Sequence, residues 1–298
     1  MNLLITGAWI SAREHIPEIE AMGHSVFFLQ QEKNTLPVPA DCVEGIIGNG
    51  IFLYHNIERF KNLCYIQLTS AGLDRVPMDY VKEHNIAIFN ARGVYSVPMA
   101  EFAVAGVLSL YKQMRFFASN QEKHLWEKQR SILELFGKTV CIVGCGSVGT
   151  ECAKRFSAFG CRILGVDRFP CESPVYDQMF YFDKLDTVLP RCDVLVLSLA
   201  LTQETIHLMN KQRLNMLKSN AILVNIARGA IVDQSSLEDS VGRLGGAVLD
   251  VFEDEPLNPD SPLWNAENVI ITPHNSFVGE KNEMRLSNLI LKNLYNAK

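Results

Sequence analysis

Lys138-Thr-Val-Cys-Ile-Val-Gly-Cys-Gly-Ser-Val-Gly149 is the stretch whose reading decides the fold. Thr139 to Val143 form a short apolar run of β-favouring residues. Glycines follow at Gly144, Gly146 and Gly149, and an amphipathic helix pattern begins behind them. Strand, Gly-x-Gly-x-x-Gly and helix in that order is the dinucleotide-binding fingerprint. Gly144 lets the chain turn sharply, and Gly146 has no Cβ to hold a pyrophosphate off the backbone. Gly149 lets the helix lie close to the strand, while N–H groups at the helix start attract phosphate.

A lone glycine triplet is often only a tight turn. Here a second strand over residues 162–166 ends on Asp167, about twenty residues on, where a ribose-binding acid belongs. A carboxylate that bonds the ribose 2′-OH repels a 2′-phosphate, which favours NAD over NADP. Arg168, next in the chain, can pair with that phosphate and keeps NADP open. Taken alone, Asp167 reads equally as a strand-end turn residue.

The same alternation of strand and helix extends to both sides. Upstream, strands are expected at residues 3–6, 25–29, 43–47, 64–68 and 86–89, with a helix at 12–22 stopped by Gly23. This half has no glycine-rich phosphate loop, so it is not the nucleotide half. Residues 97–117 read as one long buried helix, because Glu101, Lys112 and Arg115 argue against a membrane span. Residues 120–130 are the most polar segment and read as a solvated connector. Downstream, strands are expected at 194–199, 221–226, 247–251 and 269–272, and a closing helix at 280–294 packs back on the first domain. The fold class is therefore α/β, built on parallel sheets covered by helices.

Bulk composition fits this reading. The 298 residues are 48% hydrophobic and 20% charged with net charge −5, and no basic block marks a nucleic-acid binder. The start, Met1-Asn-Leu-Leu-Ile-Thr-Gly, lacks a basic n-region and reads as a first strand rather than a signal peptide. Eight cysteines include no Cys-x-x-Cys pair, and several sit inside apolar strands as small core residues. A reducing cytoplasm without structural zinc or other metal is expected, with no membrane partner.

Three of the predicted strand ends bring Arg228, Glu255 and His274 to one sheet edge, where ligands bind in an open parallel sheet. Each alone has a bland reading: a turn arginine, a solvated loop acid, a structural histidine. Together they carry more weight. A carboxylate beside an imidazole favours its protonated form, which suits proton donation. An arginine supplies fixed positive charge for an anionic substrate and a developing alkoxide.

The sequence resembles the D-isomer-specific 2-hydroxyacid dehydrogenases over nearly its whole length. The likeness rests on Gly144-Cys-Gly-Ser-Val-Gly149 with Asp167, Asn225-Ile-Ala-Arg-Gly229, and Leu249-Asp-Val-Phe-Glu-Asp-Glu-Pro256. It also rests on Asp260-Ser-Pro-Leu-Trp264 running into Asn268-Val-Ile-Ile-Thr-Pro-His274. The resemblance implies two doubly wound parallel-sheet domains with a cleft between them. A flavodoxin-like substrate domain would comprise residues 1–93 and 278–298, and a Rossmann NAD-binding domain residues 94–277.

It further implies NAD(H)-dependent interconversion of a small 2-oxo acid and its D-2-hydroxy acid, with His274 as acid/base. Glu255 would pair with His274, and Arg228 would bind and polarise the substrate. Ser70, Ala71 and Gly72 would grip the substrate carboxylate through backbone N–H groups, with Asn49 on the substrate side. Ser147 and Val148 would face the pyrophosphate, and Asp250 would hold the nicotinamide carboxamide. Leu199, Ala200, Thr205, Ile226, Ala227 and His274 complete the expected cofactor contacts. The family is usually homodimeric through its cofactor domain.

Two departures stand out. Ala100-Glu101-Phe102 replaces a common Ala-Glu-His, and Asn275-Ser-Phe-Val-Gly279 replaces a small apolar run. Both are expected near the cleft and bear on substrate identity. Formate dehydrogenase, on the same scaffold, carries glutamine where Glu255 stands. A nucleotide-sensing regulatory protein on this fold is the rival from another class, and the intact Arg228, Glu255 and His274 set argues against it. A short-chain dehydrogenase fails, because the first strand has no glycine turn and no Tyr-x-x-x-Lys pair occurs in a suitable helix.

Overall fold

Alternating side chains on each strand feed two cores, one on either face of a parallel sheet, and this happens twice. The computed structural model describes residues 1–170 and 173–297. Cys171, counted above, lies outside the described residues. The chain divides into Met1–Tyr95 with Gly279–Lys298, and Ser96–Val278.

The first unit contains β1 (Asn2–Thr6), α1 (Ala12–Ala21), β2 (Ser25–Leu29), β3 (Gly45–Gly48), β4 (Tyr65–Leu68), α2 (Met78–Glu83) and β5 (Ala87–Phe89). The strands are all parallel in the order β2-β1-β3-β4-β5. The order reverses between β1 and β3, as in flavodoxin-like sheets. Leu4 enters one core with Ile46 and Ile66, while Leu3 and Ile5 enter the other with Trp9 and Ile47. That second core is covered in part by α1, through Ala12 and Ile19, and is completed by the closing helix.

The second unit contains α3 (Ser96–Tyr111), α4 (Met114–Glu122), β6 (Thr139–Val143), α5 (Ser147–Ala158), β7 (Arg162–Asp167), β8 (Gln178–Tyr181) and α6 (Leu185–Val188). It continues through β9 (Val194–Leu197), α7 (Lys211–Met216), β10 (Ile222–Asn225), α8 (Gln234–Ser240), β11 (Gly246–Leu249) and β12 (Val269–Ile271). Its seven parallel strands run β12-β11-β10-β9-β6-β7-β8, so the order reverses between β6 and β9. Val140 and Ile142 pack on the face covered by α3 and α5, and Cys141 and Val143 on the other. Strands buried on both faces must be apolar throughout, which is why they read as runs without alternation.

A closing helix, α9 (Asn282–Asn296), returns to the first unit and places Leu286, Ile290 and Leu294 in the core with Trp9. Met284, an apolar residue of the same helix, is exposed.

Three expectations need correction. The single helix over 97–117 is two helices, α3 and α4, separated by Gln113 in the left-handed region at φ +49°. Asn120 is buried rather than solvated, although residues 121–130 are largely exposed. The half-exposed edge strand β8 has no counterpart in the sequence reading, because its Gln-Met-Phe-Tyr lacks both a buried run and a clean alternation. The other expected strands recur within one or two residues of their observed ends.

Candidate active site

The glycine turn lies at the switch point of the seven-stranded sheet, between the ends of β6 and β9. Gly144 takes φ +92°, and a Cβ there would sit 2.7 Å from the backbone of Leu199, so the two loops meet in contact. A Cβ on Gly149 would lie 2.1 Å from the Gly144 carbonyl oxygen, which is the close helix–strand packing expected of the third glycine. A Cβ on Gly146 would meet nothing within 4 Å, so the space before the turn is open. No side chain caps α5 at its Gly146 end. Open space, an uncapped helix start and a bare backbone are what a pyrophosphate requires.

Asp167 ends β7 with one carboxylate oxygen accepting from the Cys145 N–H at 2.7 Å and the other from the Phe169 N–H at 2.9 Å. The acid is thereby fixed against the glycine turn itself. Arg168 pairs with Glu204 at 3.3 Å, both well exposed. Ala200 is exposed beside Leu199. Thr205 is buried and its hydroxyl turns inward, donating to the Ala200 carbonyl at 2.9 Å and accepting from the Thr202 N–H at 2.7 Å. Its geometry shapes the loop. Ile226 and Ala227 are buried at the end of β10, and Val148 packs against the core beneath α5.

The chemistry-bearing residues sit on the loops after β10, β11 and β12. Gly229 brings the first two together, since a Cβ there would overlap the Phe252 carbonyl carbon at 1.8 Å. Beside it, Arg228 donates through Nη1 to its neighbour's carbonyl, Ala227, at 2.8 Å, and its own carbonyl accepts from Asn225 Nδ2 at 3.0 Å. Glu255 accepts from the Phe252 N–H at 3.2 Å and, through its other oxygen, bonds His274 Nδ1 at 2.9 Å. Both side chains of this pair are about two-fifths exposed, so a ligand can reach them. His274 sits at φ +52°, an uncommon conformation for a residue with a Cβ. With Nδ1 held by Glu255, Nε2 is the nitrogen left to exchange a proton with a ligand.

Asp250, only 1% exposed, is engaged by its own chain. Its carboxylate accepts from Thr272 Oγ1 at 2.6 Å and from the N–H groups of Asn275 at 2.7 Å and Ser276 at 2.9 Å. Thr272 and these amides were missed in the sequence, because a contact between loops 22 or more residues apart leaves no local signal. The two departures also find places here. Phe102 packs against the core, and Glu101 accepts from Arg155 at 3.2 Å, which ties α3 to α5. Ser276 is buried on Asp250, and Phe277 stands edge-on to His274 with ring centres 6.2 Å apart.

In the first unit, the turn after β4 presents donors. The Ser70 carbonyl accepts from the Ala91 N–H, the Ala71 carbonyl from Asn90 Nδ2 and the Gly72 carbonyl from Ser70 Oγ. Among the described residues, the backbone N–H groups of Ser70, Ala71 and Gly72 make no hydrogen bond to the protein. A turn whose carbonyls are engaged and whose amides are not has donors that an anion could use. The adjacent turn after β3 differs. Glu32 accepts from the N–H groups of Asn49 at 2.7 Å and Gly50 at 2.8 Å, so this turn already holds a carboxylate of the protein. Glu32 drew no attention in the sequence, and it engages the Asn49 backbone N–H, which leaves that donor unable to reach a substrate.

Among the described residues no group of three or more His, Cys, Asp or Glu could hold a metal, and no helix is long and apolar enough to cross a membrane.

A doubly wound sheet with a glycine turn at its switch point and an acid ending the next strand defines a dinucleotide-binding protein. Comparison with known proteins is more specific. The model of the D-isomer specific 2-hydroxyacid dehydrogenase NAD binding domain matches residues 104–276. A glyoxylate reductase of Thermofilum pendens is 34% identical over 248 residues, 80% of this chain and 73% of that one. A D-3-phosphoglycerate dehydrogenase of Archaeoglobus fulgidus is 31% identical over 243 residues, 80% of this chain and 46% of its relative, so less than half of that longer protein is matched. Among solved structures, D-lactate dehydrogenase from Aquifex aeolicus, complexed with NAD and lactic acid, superposes with a TM-score of 0.79 at 26% identity. That match covers 98% of this chain and 93% of that one. The chain belongs to the D-isomer-specific 2-hydroxyacid dehydrogenase family, and residues 104–276 are its NAD-binding part.

Proposed function

We propose that this protein reversibly reduces a small 2-oxo acid to its D-2-hydroxy acid with NADH. The observation that carries the reading is the 2.9 Å contact of His274 Nδ1 with Glu255, with Arg228 on the neighbouring loop. A dinucleotide, when bound, would supply or take up the hydride at C2. In reduction His274 donates a proton from Nε2 to the substrate oxygen, and Glu255 stabilises the protonated ring before transfer. Arg228 offers its guanidinium to the carboxylate and polarises the carbonyl. Ser70, Ala71 and Gly72 offer backbone N–H groups to a carboxylate.

On the cofactor side, Gly144, Gly146, Ser147, Val148 and Gly149 would carry the pyrophosphate, and Asp167 the ribose diol. NAD is favoured over NADP. Asp167 is held at the turn as an acceptor, and Glu204 adds a second negative charge beside Arg168. The pairing leaves Arg168 less available to a 2′-phosphate.

Seven cysteines in the described residues are free thiols, which agrees with a cytoplasmic setting. We also propose a homodimer. Met114, Leu125, Trp126, Ile132, Leu133 and Phe136 are all exposed within one stretch of the second unit, Trp126 at 97%. Exposed apolar residues grouped in this way suit a second copy of the chain.

The test is loss of NADH absorbance, with NADPH in parallel, against glyoxylate, hydroxypyruvate, pyruvate, phenylpyruvate and branched 2-oxo acids. Turnover of at least one with NADH is expected, weaker with NADPH, and lost by a factor of about 100 or more in His274→Ala. NADH binding with no turnover across the panel, or a His274→Ala variant at wild-type rate, overturns the proposal.

A further inference from the structure

We infer that Asp250 is a positioning residue: its carboxylate staples the loop that carries His274 to the end of β11 and so sets the histidine's place beside Glu255. The inference rests on the proposed role of His274. The strands supply the starting point. Asp250 follows β11 directly, and the 272–276 segment follows β12, its parallel neighbour. Glu255 hangs from the same strand as Asp250, five residues further along the chain. The pairing of Glu255 with His274 therefore depends on how two separate loops are registered to each other.

Asp250 fixes that register at four points. Its main-chain carbonyl accepts from the His274 N–H at 2.8 Å. One carboxylate oxygen accepts from Thr272 Oγ1 and the Asn275 N–H, and the other from the Ser276 N–H. Residues two before, one after and two after the histidine are thus held by one side chain, and the histidine itself by that residue's carbonyl. His274 between them is forced to φ +52°. That conformation is strained for a β-carbon-bearing residue and persists only where its surroundings impose it. The Asp250 carboxylate is that surrounding.

Acceptor accounting shows how much of the carboxylate the positioning role uses. A carboxylate has about four lone-pair sites, and three are used within the protein. One site, on the oxygen facing Ser276, remains for a carboxamide N–H. Most of the carboxylate's acceptor capacity is thus taken by the histidine loop, and its loss should be felt there first.

Asp250→Asn keeps the shape but turns an N–H₂ group toward one of the donors, so at least one of the three bonds is lost. Thr272→Val removes a single bond at a residue with no expected cofactor contact. Steady-state kinetics, NADH titration by fluorescence and amide hydrogen exchange are measured on both variants. The expected kcat falls are about ten- to hundredfold for Asp250→Asn and severalfold for Thr272→Val. NADH affinity should stay within about twofold in both. Exchange should speed up in residues 272–277 and stay unchanged over residues 139–150.

Two outcomes overturn the inference: unchanged exchange at 272–277 in Asp250→Asn, or NADH affinity lost in proportion to kcat. The second would make Asp250 a cofactor ligand first. If the wild-type protein reduced no 2-oxo acid, the functional proposal would fall, and hydrogen exchange would still decide whether the staple exists.

Discussion

Arg228 reaches back to the carbonyl of Ala227, which orients one edge of its guanidinium within its own loop. A planar fork held in this way is suited to two parallel hydrogen bonds with a carboxylate, which a lysine ammonium cannot reproduce. Charged hydrogen bonds of this kind are worth about 1.5–3 kcal/mol, roughly ten- to hundredfold in affinity. Arg228→Lys is therefore expected to raise KM for the 2-oxo acid by that factor while KM for NADH stays put. Equal losses in both KM values would show that Arg228 supports the fold of the site rather than the substrate. At this scale much was legible. Arg228, Glu255 and His274 each lie on a loop that follows a strand, and strand ends can be read from apolar runs. Asp250's engagement with Thr272, Asn275 and Ser276 could not be read, because it depends on the register of two strands and not on either segment alone.

Among the elements, the loop after β10 packs closely against the loop after β11. Gly229 lies against the Phe252 backbone, and any Cβ there must displace the loop that leads to Glu255. Overpacking of a buried contact costs about 1–3 kcal/mol. Gly229→Ala is expected to lower the thermal midpoint by several degrees and to cut turnover at least as strongly as Thr272→Val. A variant with wild-type melting and turnover would show that the two loops separate easily. Elements themselves were read well where both faces are buried, since runs such as Val140 to Val143 admit few alternatives. They were read poorly where exposure is mixed. β8 gives no periodic signal, and the break at Gln113 is a backbone choice that apolar composition conceals.

For the molecule as a whole, the proposed dimer rests on the exposed apolar segment around Trp126. Light scattering after gel filtration should give twice the mass of one chain, and Trp126→Asp with Phe136→Asp should give one. A wild-type monomer would refute the dimer. The return of α9 has a different consequence, which concerns the order of events during synthesis. Trp9 is fully buried, and its indole N–H donates to Ser287 Oγ at 2.9 Å. Ser11 likewise donates to Glu283 through both its N–H and its hydroxyl. These partners emerge from the ribosome more than 270 residues after the groups they satisfy. The second unit is wholly contained in that interval, so it can complete its core while the first is still waiting for its own lid. The nascent chain thus carries a core around β1 that α1 covers only in part until Leu286, Ile290 and Leu294 are made. β1 is made before the second unit and sealed after it.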